Sequence, residues 1–361
     1  MTSLPVSANS LPVSDFSEKQ LIDVLLGEHS FDSQDADDAT GVGLVLLGAG
    51  DDAAQISAPQ GNFLVASDVL IEDQHFKRSW SSPAQVARRA LIQNFADIYA
   101  MGGQPTVVLL TLALPKELPF SWLTQFAHEF RVCCAENAAV LVGGDLSASE
   151  KIVVSITAHG QLNGNPLVKR SGAQIGDVLA HAGVCGFSAA GLEVLKHREE
   201  ISLATGASGK AQPGKPDARW QEFINAFLVP QTDLKAGLRA AAAGASAMQD
   251  VSDGLVIDAG RIAAASGVVI ELDDLQQAFK TDLAALVPVC AAYGLEATEL
   301  VLGGGEDHGF LATFAPEQVL PEGFTKIGRV RAGSEKDQAT KVFLGEKPLT
   351  HRGWDHFSVP N

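Results

Sequence analysis

The sequence predicts an α/β (α+β) protein with two domains. Its 361 residues are enough for two domains of ordinary size, and 46% of them are apolar and 19% charged, which is a globular composition. Apolar runs typical of strands alternate along the chain with segments of helical periodicity. Residues 160–177 are rich in Gly, Asn and Pro, so we place the domain boundary there, between residues 160 and 161.

The first domain is predicted to cover residues 16–160, after a flexible N-terminus of residues 1–15. Its clearest element is a helix from Pro83, because apolar residues recur there at helical spacing and Gly102-Gly103 end it. Residues 106–114 are mostly apolar, which indicates a buried strand. The other predicted elements are a helix at residues 16–26 capped by Ser14 or Asp15, a helix near 120–137, and strands at 42–47, 62–67, 139–143 and 151–158.

The second domain, residues 161–361, is predicted to repeat the alternation. It begins with a strand at 178–182 and a helix at 187–195. A polar insertion, residues 206–219, contains Gly209-Lys210 but lacks the glycine spacing and the Ser or Thr of a phosphate-binding P-loop. Helices near 232–243 and 254–265 and a strand at 268–272 follow.

The charge and the cysteines restrict the classes of function. The formal net charge is −17, partly in an acidic loop at residues 28–41, which argues against binding to nucleic acid. The longest apolar runs are too short to span a bilayer, so no membrane partner is predicted. The first fifteen residues lack Lys, Arg and an apolar core, unlike a secretory signal, and the four cysteines lack CxxC spacing, as expected in a reducing compartment. A cytoplasmic protein is therefore predicted.

An unusual pair of aspartates occurs at residues 48–54, GAGDDAA, after a predicted strand. Gly48 and Gly50 allow a sharp turn, which would present Asp51 and Asp52 at its tip. The stretch matches the G-x-G-x-x-A pattern of dinucleotide-binding loops, but two carboxylates would repel the pyrophosphate that such loops bind. Carboxylates approach phosphates when a cation such as Mg²⁺ lies between them. Taken alone, however, the stretch favours a solvated Asp-Asp turn.

Further acidic and polar residues recur where predicted strands stop or helices begin. They are Ser67-Asp68, Gly143-Gly144-Asp145, Asp250, Ser252-Asp253 and Glu306-Asp307, together with Asn94 and Asp97, one turn apart on the polar side of the helix from Pro83. Each has a purely structural explanation, since Asp253 could be a helix N-cap, Asp145 a turn residue and Asp97 part of a solvated helix face. Ligands bind at strand ends in open α/β sheets, however, and both halves of the chain contribute such residues. Their recurrence therefore predicts a metal–phosphate site.

The order of the motifs resembles that of the thiamine-monophosphate kinase family, within the aminoimidazole-ribonucleotide-synthetase-like superfamily. The motifs are GAGDDAA, SDVLIEDQHF, NFADIYAMGG, VGGD, KRSGAQIGD, DVSDGL, GGGED and GWDHF, and the resemblance runs from about residue 16 to the C-terminus. It implies ATP-dependent conversion of thiamine monophosphate to thiamine diphosphate with several Mg²⁺ ions. It also implies two α/β domains, with the N-terminal domains paired in a homodimer whose strands form a shared barrel.

The resemblance implies roles for individual residues. The metal ligands would be Asp52, Ser67, Asp68, Asp97, Asp145, Asp250 and Asp253. ATP would contact Gly144, Asp145, Arg170 and Ser252, and thiamine monophosphate would contact His75, Glu306 and Trp354. Without the resemblance, Arg170 would be interpreted as a solvated linker residue, His75 as a packed histidine and Trp354 as a core anchor. No catalytic general base is expected, because the motifs contain no His-Asp or Lys arrangement that clearly offers one.

Four places matter in the comparison with the family pattern. Ala66 stands where a hydroxyl residue is frequent, Ala96 replaces a common Ser, and His308-Gly309 replace an aromatic-acidic pair. Trp354 stands where Tyr or Trp is expected. His308 follows the residue expected to contact the substrate, so substrate specificity is the property most affected.

The residues leave other functions open. The chain could be another ATP-using enzyme of the same superfamily, a carboxylate-metal phosphohydrolase, or a non-enzymatic metal-binding or scaffold protein. Selenophosphate synthetases carry a reactive cysteine or selenocysteine in an N-terminal loop, whereas no cysteine precedes Cys133 here.

Overall fold

The computed structural model describes residues 10–27, 45–47, 55–59, 61–204, 218–333 and 341–350. The predictions for residues 1–9, the acidic loop 28–41, the Asp51-Asp52 turn, most of the insertion 206–219 and Trp354 lie outside these ranges. The chain divides into two compact units. The first unit comprises Met1–Ile98 and Gly103–Asn163, and the second comprises Tyr99–Gly102 and Gly164–Asn361.

The first unit combines helices with a mixed sheet. Its elements are α1 (Glu18–Leu26), β1 (Val45–Leu47), β2 (Gln55–Ile56), β3 (Leu64–Ile71), α2 (Pro83–Ala100), β4 (Gln104–Leu114), α3 (Phe120–Glu136), β5 (Val140–Ala148) and β6 (Val153–Gln161). Four of the strands form a sheet in the order β3-β6-β4-β5, in which only β4 and β5 are parallel neighbours. Strands β1 and β2 form a separate antiparallel pair.

Helix α1 begins later than predicted. Ser17 is its N-cap: the Ser17 hydroxyl accepts the N–H of Gln20, and the Gln20 side chain accepts the N–H of Ser17. This reciprocal capping box stabilises the first turn. The predicted caps, Ser14 and Asp15, are wrong because both lie in a 3₁₀ helix that precedes α1, at Val13–Asp15.

The core of the first unit lies on one face of the four-stranded sheet. Val108, Leu110 and Leu112 of β4 are buried at alternate positions, and Ile156 of β6 is buried opposite Leu110. The core also includes Phe95 of α2. This alternation is the pattern expected of a sheet that buries one face.

The other face of the same sheet carries exposed apolar residues. Val65 and Val69 of β3 are 59% and 43% exposed, and Leu109 of β4 is 37% exposed. Ser67, Thr157 and Leu109 lie opposite one another in the register, so they share this face with Val65 and Val69. We call it the open face.

The second unit contains a larger mixed sheet. Its elements are β7 (Val178–Ala182), α4 (Phe187–Ala204), α5 (Gln221–Leu228), α6 (Ala236–Ala242), β8 (Ala247–Asp250), α7 (Leu255–Ser266), β9 (Val269–Leu272), α8 (Leu275–Ala278), α9 (Lys280–Tyr293), α10 (Ala297–Gly303), β10 (Phe310–Phe314), β11 (Phe324–Arg331), β12 (Val342–Leu344) and β13 (Lys347–Pro348). The strands form one sheet in the order β13-β12-β9-β11-β7-β10-β8. Both units therefore have the predicted α/β (α+β) character.

Strand β8 is an edge strand of this sheet, and the candidate site begins where β8 ends. Met248 of β8 pairs with Ala312 of β10, which in turn pairs with Ala180 of β7, and all three residues are buried. In the part of the chain described here, no single helix is long and apolar enough to cross a bilayer. By length and composition alone, α9 and α10 would suffice as a pair bent by 116°.

Candidate functional site

Ser67 and Asp68 lie in the middle of β3, so the prediction that they end a strand is wrong. The strand continues to Ile71 because polar side chains do not interrupt its backbone pairing with β6, where Asp68 lies opposite Ile156. The Ser67 hydroxyl donates to the Ile156 carbonyl at 2.9 Å and lies 3.2 Å from the Thr157 hydroxyl. The two residues are thus held on an ordered edge strand.

Asn94 of α2 joins the helix to this edge strand. The Asp68 N–H donates to Asn94 Oδ1 at 3.0 Å, and Asn94 Nδ2 donates to the Ala90 carbonyl at 2.9 Å. Asn94 is 1% exposed, so the prediction that it lies on the polar side of this helix is wrong. Asp97 follows one turn later on the same side of α2. The structure therefore brings Asp97 towards Asp68.

Asp145 lies within β5, at the opposite edge of the same sheet. Because β5 runs on to Ala148, the prediction of a strand-end position is wrong here too. Gly144 has a φ of +155°, and a Cβ at this residue would lie 1.8 Å from the Leu110 carbonyl oxygen, so only glycine fits before Asp145. Three strand spacings, about 14 Å, separate Asp145 from Asp68, so one sheet does not bring these carboxylates together.

The loop that leads from the last residue of β8 to α7, residues 250–254, is held by a side chain of α7. The Asp258 carboxylate accepts the backbone N–H groups of Ser252 and Asp253, both at 3.0 Å. Asp258 is fully buried. Burial raises its pKa to about 6, and the charge of Asp250 adds to this effect while Arg261 opposes it. A buried carboxylate thus fixes the backbone of the 250–254 loop.

Arg261 completes this network. Its guanidinium lies 2.6 Å from Asp253 Oδ2 and 2.7 Å from Asp258 Oδ1. The N-cap of α7 is Gly254, without a side-chain capping bond, so the structural alternative that Asp253 caps the helix is wrong. The Asp253 carboxylate instead contacts Arg261.

Glu306 and His308 flank a buried aspartate in a strained turn, residues 306–308. Their φ values are +69° and +53°, a left-handed conformation that residues with a Cβ rarely adopt. The Asp307 carboxylate accepts the N–H groups of Gly186 and Ser188, at 2.6 and 2.7 Å, where α4 begins. Burial raises the pKa of Asp307 to about 7, although these two hydrogen bonds oppose the shift. Asp307 therefore anchors the 306–308 turn.

The 306–308 turn contacts the 250–254 loop directly. The Glu306 N–H donates to the Ser252 carbonyl at 2.7 Å, and His308 Nδ1 lies 2.9 Å from Asp250 Oδ2. Burial lowers the pKa of His308, but the carboxylates of Asp250 and Glu306 outweigh this effect and raise it to about 10. In the second unit, the structure thus brings together Asp250, Ser252, Asp253 and Glu306.

The remaining described candidates are His75 and Arg170. In the turn after β3, His75 Nδ1 accepts the N–H of Ile71 at 2.9 Å, and its carbonyl accepts from Arg89 at 2.9 Å. Arg170 is exposed, and its carbonyl accepts the hydroxyl of Ser266, the last residue of α7, at 2.9 Å. About 16 Å of helix separates Ser266 from the 250–254 loop. The roles of His75 and Arg170 stay predictions.

Two buried carboxylates hold the site, and the sequence assigned this anchoring role to neither of them. Asp258 had one local signal, its i,i+3 spacing to Arg261 at the start of a helix. Asp307 was grouped with Glu306 as a site residue, although it is 4% exposed and bonded to backbone amides. No local pattern distinguishes it from its neighbour, because its partners lie about 120 residues earlier in the chain.

The candidate ligands have the chemistry that Mg²⁺ requires. They are all carboxylate or hydroxyl oxygens, which are hard donors. Asp250 and Asp253 use Oδ2 for His308 and Arg261, and a carboxylate has a second oxygen that could bind a cation. Among the residues that the structure describes, no three His, Cys, Asp or Glu side chains are grouped as a metal site. Asp52 lies outside those residues.

Comparison with known proteins places the chain in a family. Residues 50–162 match the family of AIR synthase related proteins, N-terminal domain. The chain is 39% identical over 317 residues to thiamine-monophosphate kinase of Mycobacterium tuberculosis, which covers 88% of this chain and 87% of that protein. It is 34% identical over 312 residues to thiamine-monophosphate kinase of Corynebacterium glutamicum, with coverages of 85% and 88%.

A solved structure supports the same assignment. AaThiL complexed with AMPPCP and TMP has a TM-score of 0.71 and 32% sequence identity, over 85% of this chain and 91% of that one. The similarity therefore extends over both units and is not limited to the N-terminal domain. It confirms the resemblance that the order of the motifs predicted: the chain belongs to the thiamine-monophosphate kinase family.

Proposed function

We propose that this chain transfers the γ-phosphoryl group of ATP to thiamine monophosphate, giving ADP and thiamine diphosphate. Membership of the kinase family supports this reaction, as does the relative complexed with AMPPCP and TMP. The structural observation that carries the proposal is the junction of the 250–254 loop with the 306–308 turn. There, carboxylates suited to a cation lie next to Glu306, the residue expected to contact the acceptor.

The carboxylates would hold Mg²⁺. We assign this role to Ser67, Asp68, Asp97, Asp145, Asp250 and Asp253, together with Asp52. When bound, Mg²⁺ would neutralise the charge of the two phosphate groups that react. The structure supports the assignment because Ser67 and Asp68 are fixed by pairing with β6, and Asp253 is fixed by the bonds to Asp258 and Arg261.

ATP would be bound by Gly144, Asp145, Arg170 and Ser252. The exposed guanidinium of Arg170 offers a planar fork that fits phosphate oxygens bidentately. The N–H of Ser252 donates to Asp258, and its carbonyl accepts the N–H of Glu306. These two bonds fix the backbone of Ser252, and its hydroxyl would contact ATP. Because Gly144 has no Cβ, its backbone can lie close to the Leu110 carbonyl, and this contact positions Asp145.

Thiamine monophosphate would be bound by His75, Glu306 and Trp354. Its phosphate needs no general base, because its second pKa is about 6 and its oxygens are largely anionic at neutral pH. The main obstacle is repulsion between two phosphates, which positioning and charge neutralisation remove. We therefore propose direct in-line transfer without a phosphoenzyme.

We further propose that two chains associate through the open face. Val65, Val69 and Leu109 expose apolar side chains on one sheet face, and such a surface is typical of contact with another protein. A second copy that packs its own open face there would form the barrel implied by the family. Sedimentation of the wild type as a dimer, and of Val65→Asp with Leu109→Asp as a monomer, would support this arrangement. A monomeric wild type would refute it.

The decisive assay for the function is ADP production from ATP with and without thiamine monophosphate. We expect ADP to depend on the acceptor and on Mg²⁺. Equal ADP production without the acceptor would indicate a phosphohydrolase. No ADP under either condition would favour another enzyme of the superfamily or a protein without catalytic activity.

A further inference from the structure

His308 is the residue at the candidate site whose role the family pattern does not explain. It stands where an aromatic residue is usual, yet it is 3% exposed and contacts two acidic residues. We propose that His308 is a positioning residue that holds the Asp250 carboxylate through Nδ1 and directs Nε2 at Glu306. It would thereby couple the metal-binding loop to the acceptor-binding turn. This inference rests on the proposed function.

The two ring nitrogens have different partners. Nδ1 lies 2.9 Å from Asp250 Oδ2, a normal hydrogen-bond distance, so this bond fixes one oxygen of a predicted metal ligand. Nε2 is buried and lies 3.7 Å from Glu306 Oε2, which is too long for a hydrogen bond but close enough for an ion pair. One ring therefore touches a candidate metal ligand and faces a candidate acceptor ligand.

The backbone around His308 keeps the ring in this place. Its N–H donates to the Val251 carbonyl at 3.0 Å, and the Val251 N–H donates to the Gly309 carbonyl at 2.7 Å. On the other side, Asp307 anchors the turn to the start of α4. The left-handed conformation of Glu306 and His308 persists because these bonds hold it. If the ring turned away, its contact with Asp250 would break, although the backbone bonds between loop and turn would remain.

A purely structural role would require only that the ring fill space and pair with carboxylates. Removing the ring would then lower stability and affect metal and acceptor binding alike. The positioning role predicts separate effects, because each ring nitrogen contacts a different candidate ligand. Two amide substitutions distinguish these effects. Asn places its Nδ2 near the position of Nδ1, and Gln places its Nε2 near the position of the ring Nε2. Asn also tolerates the left-handed conformation.

The experiment compares His308→Asn with His308→Gln in the full chain. Mn²⁺ affinity is measured by isothermal titration calorimetry without nucleotide, and the KM for thiamine monophosphate is measured at saturating ATP. We expect His308→Gln to weaken Mn²⁺ binding roughly tenfold, as loss of an outer contact to a metal ligand commonly does. We expect His308→Asn to keep Mn²⁺ binding within about twofold and to raise the KM for thiamine monophosphate several-fold, since only the Glu306 contact is lost.

Two controls complete the design. His197 is an exposed residue of α4 in the same unit, so His197→Asn and His197→Gln introduce the same chemical changes away from the site. Asp250→Asn identifies the Mn²⁺ site that His308 influences. Thermal unfolding of every variant shows whether the fold is kept.

The outcomes separate the inference from the proposed function. If the wild type does not phosphorylate thiamine monophosphate, the proposed function fails, and the Mn²⁺ comparison still decides whether His308 positions Asp250. Equal Mn²⁺ affinities for His308→Asn and His308→Gln overturn the inference whatever the kinase assay shows. The inference is also overturned if both variants show the same weaker Mn²⁺ binding, the same rise in the KM for thiamine monophosphate and the same loss of stability. That is the result expected of a purely structural role.

Discussion

Removal of the Asp258 carboxylate should loosen the 250–254 loop. In Asp258→Ala, the N–H groups of Ser252 and Asp253 lose their common acceptor, and Arg261 loses one of its two carboxylate partners. Hydrogen bonds to a charged group contribute about 1.5–3 kcal/mol each, but Ser252 and Asp253 are only half-buried and water can replace part of the loss. We expect the free energy of unfolding to fall by about 2–4 kcal/mol.

This change should be visible in thermal unfolding and in kinetics. For a unit of about 200 residues, a loss of about 3 kcal/mol lowers the Tm by on the order of 10 °C. The kcat/KM for ATP should fall about tenfold or more. If displacement of Ser252 and Asp253 removes about 1.4 kcal/mol of interaction with the transition state, the rate already falls tenfold. Differential scanning calorimetry and steady-state ADP assays measure the two effects.

The matched control for Asp258 is Asp274. It also accepts a backbone N–H, from Gln276 at 2.9 Å, but it is exposed at the start of the short helix α8. Asp274→Ala should cost about 1 kcal/mol and leave the ATP kinetics unchanged. If Asp258→Ala is no more destabilising than Asp274→Ala and keeps normal ATP kinetics, the assigned role of Asp258 is wrong.

Three further predictions concern charged residues. Because burial raises the pKa of Asp307 to about 7, the folded chain holds a proton between about pH 4 and pH 7 that the unfolded chain releases, so the carboxyl opposes folding increasingly as the pH rises through that range. The unfolding free energy of the wild type relative to Asp307→Asn should therefore fall by about 2–3 kcal/mol from pH 5 to pH 8, and a constant difference in urea titrations would contradict the shifted pKa. Arg170→Lys keeps the charge but loses the bidentate fork, so the KM for ATP should rise about tenfold, and unchanged ATP kinetics would restore the interpretation of a solvated linker residue. Asp68→Asn and Asp145→Asn should abolish Mg²⁺-dependent turnover while circular dichroism stays that of the wild type; near-normal turnover in both would refute the metal assignment.

The sequence predicted the elements whose signals are local. Pro83 marks the first residue of α2, and the predicted strand at 178–182 has the bounds of β7. The strand ends at Asp68 and Asp145 were predicted wrongly, because polar residues and glycines were taken as stops. In the structure, pairing with β6 and β4 carries both strands further. A stop signal in the sequence does not outweigh a continuous backbone ladder.

The sequence indicated a set of candidate site residues but not their arrangement. The recurring acids and the order of motifs indicated the family before any fold was known. The contact of His308 with Asp250 spans 58 residues, and the bonds of Asp307 to α4 span about 120, so no local pattern could reveal them. The partners of Asp258, in contrast, lie within six residues of it, and its i,i+3 spacing to Arg261 was the one local signal of its role.

Direct transfer is tested most directly by following the label from γ-labelled ATP in the presence of Mg²⁺, with thiamine monophosphate or free thiamine as the acceptor. We expect labelled thiamine diphosphate from thiamine monophosphate, no labelled product from free thiamine, and no label on the protein. Comparable product from free thiamine, or label retained on the protein, would contradict direct transfer between two phosphate groups.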